Sequence, residues 1–458
     1  MIVCKGERDQ PIGLALLVDA GPAGRLVLQT CFLPSQDEPY ELFIEVARWL
    51  IKQFVMQSEA WQMWNPAISG DALTVWDRAR EQFRAALRCE TAPEAERVAR
   101  EAIALGVAAA EKLTGRHADH LLKRRYALKP ASATALGVCV DPAIAPRGAA
   151  AAAAKQFDVI ALHTPWKRIE IKPGKRDFAA VDAWVQWCRQ ERKPFVLGPL
   201  IDFGPGENGV GSALPDHALA QRSDAKKLRE LVWAHAHAVA ERYQNETALF
   251  VTVSGANLPS WRAEGIERML ELVRTATVAV REVKRTAKTI IEIQSPIAEG
   301  WCGAKGAAWP TSFLQRVVGE NLGLSAVGVR VVEGPGRDPV RELLTVADML
   351  DGYLGRDLPV FVSGFGVPSA GDASTQGSWR GAWSAEHQAQ WGADMLRISL
   401  ARSWIEGAWW SRLQDAAGAS DGVIDANGQP KPALGAMLAL RRGLNGAGKR
   451  EGAGGADA

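Results

Sequence analysis

The side chains in this 458-residue sequence best suited to chemistry are carboxylates, amides and indoles that close short apolar runs rich in Val and Ile. Four carboxylates, Asp202, Glu299, Glu333 and Asp415, stand at or just beyond such run ends, together with His163, Trp166, Asn257, Trp301, Arg330 and Trp409. Carboxylates beside flat rings are what glycoside hydrolysis requires. One protonates the leaving oxygen, a second acts as nucleophile or base, and the rings stack on pyranose faces. A pair ~6.5–9.5 Å apart would support inversion through an activated water. In that scheme Asp202 or Glu333 is the base and Glu299 the acid, Trp166, Trp301 and Trp409 are stacking platforms, and His163, Asn257 and Arg330 bind substrate. A structural alternative stands beside each assignment, because an Asp or Glu ending a strand also caps the next helix or pairs with Arg. Indoles also fill cores, and Trp (17) outnumbers both Phe (12) and Tyr (4) here.

The elements that must position these groups follow from periodicity. From about residue 131, apolar runs alternate with helical patterns eight times, at 133–141, 159–164, 194–202, 248–256, 289–296, 326–334, 359–368 and 407–415. One intervening helix, starting near Phe178, puts Val181, Trp184, Val185 and Cys188 on one face, and another uses Trp391, Met395 and Ile398. Continuous apolar strands belong to a parallel sheet covered on both sides. Eight βα units suit a closed (β/α)8 TIM barrel, an α/β fold whose ligands bind at the carboxyl ends of the strands. No GxGxxG or GxxxxGK[ST] follows a strand, no His/Cys/carboxylate set has metal spacing, and no GxSxG elbow occurs, so neither cofactor nor metal is expected. His235 and His237 lie two apart on a helix and face different sides, as core or solvated residues do. Glycine-rich segments at 204–209 and 371–381 are expected to be a flexible loop over the mouth and a lid containing Trp379.

Before the barrel, residues 1–130 are expected to form a small module. It has a hairpin turning at Gly21-Pro22-Ala23-Gly24 and helices at about 42–50, 71–87 and 91–125, the last opened by a Thr91–Glu94 capping box. Residues 131–444 would be the barrel and 445–458 a disordered Gly/Ala tail. The charge sum of +2, with both signs mixed along the chain, argues against nucleic acid and anionic membrane as partners. The apolar stretch 12–18 is far shorter than the ~20 residues of a membrane span. Six cysteines without a CxxC pair suit reduced thiols, so the cytoplasm is the expected location. Neither the sugar nor the oligomeric state is written in these features.

The stretch Trp166-Lys167-Arg168-Ile169-Glu170-Ile171-Lys172-Pro173-Gly174, followed by Phe178 to Val185, resembles a K-W-x-x-I-E-P-x-x-G … F-x-x-x-D-x-x-V stretch of glycoside hydrolase family 10, the xylanase-type barrels. Gly198 to Phe203, Ala326 to Arg330, Pro359 to Pro368, Gly407 to Trp410, Gly422 to Asp425 and Pro430 to Ala433 resemble later motifs in the same order, over roughly residues 132–444. Pro39 to Arg48 is similar to an opening found in a divergent bacterial branch of these barrels. The resemblance implies a carbohydrate partner and an Asn-Glu acid/base pair after strand four. It also implies a nucleophilic Glu, from a T-E pair, after strand seven. Here strand four ends Val253-Ser254-Gly255-Ala256-Asn257, and the pair matching T-E is Ser363-Gly364. Pro199 replaces the family's His after strand three, and Arg330 its strand-six Gln. Three functions remain open: an enzyme whose carboxylates have moved to other strands, a non-catalytic carbohydrate-binding barrel (a pseudoenzyme), and a scaffold or interaction protein in which the indoles are core.

Overall fold

The computed structural model describes residues 10–128, 134–206, 211–297, 309–355, 358–372 and 376–451. Its centre is a closed ring of eight parallel strands: Ala135–Val140, Val159–Leu162, Phe195–Leu197, Leu249–Ser254, Lys288–Ile293, Ala326–Val332, Val360–Gly366 and Ile405–Trp410. Strand eight pairs with strand one through Gly407 and Ala135, which closes the barrel. Strand three is the shortest. After a cis Gly198–Pro199 bond the chain resumes as Ile201–Asp202, in register with Val253 and Ser254 of strand four.

Alternation along each strand divides side chains between an inner plug and an outer layer. Cys139, Ala161, Val196, Val251, Ile290, Ala326 and Trp409 make the plug. Small residues face the one large indole: a Cβ on Gly137 would lie 2.2 Å from Trp409 Cδ1, so only glycine lets that ring cross the axis. Phe361 stacks on Trp409 at 5.3 Å. The outer face meets the helices. In Ala179–Gln190 the buried residues are the expected Val181, Trp184, Val185 and Cys188, joined by Trp187. Ala385–Ala401 buries Trp391, Met395 and Ile398 and is capped by Ser384, whose hydroxyl accepts from His387 N.

The hairpin Ala15–Asp19 and Gly24–Gln29 gains a third strand from the barrel, Ser378–Trp379, which pairs antiparallel with it at Arg25 and Gly24. Gly24 has φ +99°, and a Cβ there would lie 2.3 Å from Ser378 O. The segment expected as a lid is therefore anchored instead. Trp379 is fully buried, and its Nε1 donates to Glu111 at 2.6 Å; positions 373–375 lie outside the described residues. Helices Leu42–Ala60, Ala72–Ala86 and Ala92–Leu128 follow the hairpin. They dock on the barrel through polar bonds. Gln53 Nε2 donates to Thr345 Oγ1 at 3.1 Å, Trp61 Nε1 to Asp351 at 3.0 Å, and Arg125 to the Leu400 carbonyl at 2.6 Å. The last helix, Pro432–Glu451, continues past residue 445. Among the described residues no helix is long and apolar enough to cross a membrane, and no three His, Cys, Asp or Glu side chains cluster as a metal site.

Candidate functional site

At the carboxyl end of the barrel the inner faces of strands four, five and seven meet at one carboxylate. Alternation along strand five points Ile290 into the plug and brings Glu292 and then Gln294 above it. Glu292, only 4 % exposed, accepts hydrogen bonds on both oxygens. Ser254 Oγ donates to Oε1 and Ser363 Oγ to Oε2, each at 2.6 Å. Gln294 Nε2 extends the chain, donating to Ser254 Oγ at 2.7 Å and to Asp202 Oδ1 at 2.9 Å. Strands four and seven each carry Val-Ser followed by Gly, so the serines that hold Glu292 belong to the two segments, Val253–Asn257 and Ser363-Gly364, that the sequence resemblance compares with the family's catalytic strand ends. Gly255 has φ +71°, a conformation strained for a glutamate.

Asp202 is half-buried at the end of strand three. Burial pushes its carboxyl up to about 6 and nearby Glu292 adds to this, against the Gly204 N–H, Arg330 and Gln294, which favour the charged form. His163 ends strand two, and burial together with Arg330 pulls its imidazole down to about 3, so it is neutral near pH 7. Arg330 projects from strand six. A Cβ on Gly364 would lie 3.0 Å from its Nη1 and 3.5 Å from its Cζ, which puts the guanidinium beside the backbone of the Ser363-Gly364 pair. Burial opposes its charge, but Glu292, Cys139, Asp202 and Asp421 together outweigh that cost and hold the guanidinium above its ordinary value.

Other candidates are engaged elsewhere. Asn257 clips strand four to strand five: its Nδ2 donates to the Gln294 carbonyl at 2.7 Å and its Oδ1 accepts from Gln294 N at 3.2 Å. Asp415 accepts from Lys431 Nζ at 2.7 Å and from Gly422 N at 2.8 Å, tying the loop after strand eight to the start of the last helix. Glu333, 2 % exposed, lines a cavity of about 110 Å3 with Pro335, Arg337, Pro368, Ser420 and Asp421. Trp166 and Trp409 are each 2 % exposed, so protein atoms cover the rings expected to stack on a sugar. Trp409 belongs to the plug. Trp166 stacks on buried His235 at 4.6 Å, and its Nε1 donates to Glu170 at 2.9 Å. Burial would raise the Glu170 carboxyl, but the His235 ring 3.6 Å away and hydrogen bonds from Gly174 N, Trp166 and Arg176 hold it well below the usual range. Glu299 and Trp301 lie outside the described residues, as do positions 207–210 of the loop beginning at Gly204.

Glu292, the hub of the site, is absent from the sequence-derived set. Its signal is period two: within Ile290-Ile291-Glu292-Ile293-Gln294, the polar residues alternate with isoleucines.

No family model matches the sequence, and no curated protein matches it. Solved structures do. Native xylanase 10B from Thermotoga maritima aligns with a TM-score of 0.53 at 13% identity, covering 71% of this chain and 99% of that one. A GH10 endoxylanase retrieved from a sugarcane soil metagenome gives 0.52 at 15% identity, covering 68% and 97%. Xylanase 10B from Thermotoga petrophila RKU-1, solved in complex with xylobiose, gives 0.51 at 13% identity, covering 70% and 96%. This chain has the (β/α)8 fold of the family 10 xylanases, preceded by its own hairpin and helices.

Proposed function

We propose that the barrel mouth binds an oligosaccharide and does not hydrolyse it by the family's retaining route. The observation behind this is the convergence of Ser254 and Ser363 on Glu292. Retention needs two carboxyl groups ~5–5.5 Å apart, one acid and one nucleophile. The two strand ends that would supply them instead supply hydroxyls, and these occupy both oxygens of a single buried carboxylate. Each oxygen keeps a second lone pair, but a side chain only 4 % exposed is shut off from an anomeric carbon. The carbohydrate assignment draws on the likeness to xylanase barrels, including the one solved with xylobiose.

The test is calorimetric titration of the full chain with xylobiose to xylohexaose, paired with measurement of reducing ends after prolonged incubation. Binding without release supports the proposal. Release with retained anomeric configuration refutes it, and no binding by any oligosaccharide leaves the scaffold role.

One observation favours a second reading. A carboxyl titrating near 6 is suited to general acid catalysis, and Asp202 has that property at the mouth. Inverting hydrolysis with Asp202 as the acid predicts turnover that falls as pH rises through 6 and disappears in Asp202→Asn.

A further inference from the structure

We infer that the mouth selects an acidic saccharide, with Arg330 pairing with the carboxylate of a uronic acid residue at the place where the family keeps its nucleophile. The inference rests on the oligosaccharide-binding proposal and adds the substrate class. The first ground is geometric. With glycine at 364, the guanidinium of Arg330 takes the space into which a side chain at that position would grow, 3.0 Å from Nη1 and 3.4 Å from Cγ. The charge at this point of the groove is thereby inverted, from an anion that would attack a sugar to a cation that would attract one.

The second ground is that this cation is unsatisfied. An arginine side chain has five N–H donors in a planar fork. Among the described residues none of those donors makes a hydrogen bond, and no carboxylate comes within ion-pair distance of the guanidinium. The neighbours that could neutralise it are engaged: Glu292 by the two serines and Asp421 by Arg412 at 2.6 Å. Asp202, the remaining carboxylate near it, uses Oδ1 for Gly204 N and Gln294. Glu292, Asp202 and Asp421 favour its charge without bonding to it, so its donors are open to acceptors that a ligand brings.

The third ground is a second cation. Arg337, on the loop after strand six, also makes no side-chain hydrogen bond or ion pair among the described residues, and it lines the cavity of about 110 Å3. Glu333 and Asp421 line the same cavity, so the carboxylate is assigned to Arg330 and not to this cavity. A carboxylate matches the arginine fork through two parallel N–H···O bonds, which neutral hydroxyls do not reproduce.

The test holds the sugar backbone constant. The full chain is titrated with xylotriose carrying one uronic acid, with its carboxyl-reduced derivative, and with inorganic sulfate. The acidic probe is expected to bind at least about tenfold more tightly than the reduced one, a preference that salt weakens. Arg330→Gln is expected to bring that ratio close to one. Gly364→Glu, which places a carboxylate of the protein against Arg330, is expected to do the same, with thermal melts confirming that both variants fold. Equal affinity for the acidic and reduced probes, or a ratio unchanged in Arg330→Gln, overturns the inference while the oligosaccharide proposal stands. Sulfate binding that depends on Arg330 without uronate binding also overturns it, since the site would then serve a free anion. If neither saccharide binds, the oligosaccharide proposal fails and the inference fails with it.

Discussion

Glu292 is the group on which three strand ends depend, and its removal gives a quantitative prediction. In Glu292→Ala, the hydroxyls of Ser254 and Ser363 lose their acceptor in a buried setting. Each unmet buried donor costs about 1–3 kcal/mol. Relief of the penalty for burying the carboxylate offsets part of this, so a net loss of about 3 kcal/mol is expected. Glu292→Gln keeps the shape. Ser254 already accepts from Gln294 Nε2, so it must donate to the new amide oxygen, which leaves Ser363 to accept from the new amide nitrogen. That arrangement restores most of the network, and the loss is expected to be about 1 kcal/mol. Equilibrium urea unfolding followed by tryptophan fluorescence measures both variants. The account of the hub is refuted if Glu292→Ala is as stable as the parent, or if Glu292→Gln is destabilised as much as the alanine variant.

Asp202 is expected to make stability depend on pH. Its folded carboxyl titrates at about 6, above its unfolded value near 4, so the stability it contributes is fully present below pH ~4 and is lost as pH rises through 6. Asp202→Asn should therefore be more stable than the parent above pH 6, by roughly 2 kcal/mol, with the two converging below pH 4 in denaturation series. Trp409→Ala removes the largest member of the barrel plug and is expected to cost about 3–5 kcal/mol in the same assay; a variant that stays stable but loses sugar affinity would return Trp409 to the ligand groove. Lys431→Met leaves Asp415 half-buried beside Gly422 N alone and is expected to cost about 2–3 kcal/mol, read by urea unfolding.

The barrel is legible in the sequence because eight apolar runs each reflect burial on both faces, a signal that survives when most individual residues change. The site is legible only where chemistry and position coincide. Asp202 and Arg330 stand out because each lies at the close of an apolar run. Glu292 is hidden because one acid inside Thr289-Ile290-Ile291-Glu292-Ile293 looks like an interruption unless the strand is read with period two, which sets Glu292 beside Gln294 on the inner face. Trp409 and Trp410 are adjacent in sequence and point to opposite sides of the sheet. Trp409 crosses the axis against Gly137, whereas Trp410 turns outward, its Nε1 donating to the Asp421 carbonyl at 2.7 Å. Which indole faces inward depends on that partner glycine, more than 250 positions away. Asp415 is a similar case, since its role is set by Lys431, sixteen positions later.

The central claim, a sugar-binding mouth without retaining chemistry, is tested most directly by titrating the full chain with xylohexaose and following the same sample by proton NMR at the anomeric positions. The account predicts saturable heat of binding and an anomeric spectrum that does not change with time. Newly released reducing ends that first appear in the β configuration would contradict it.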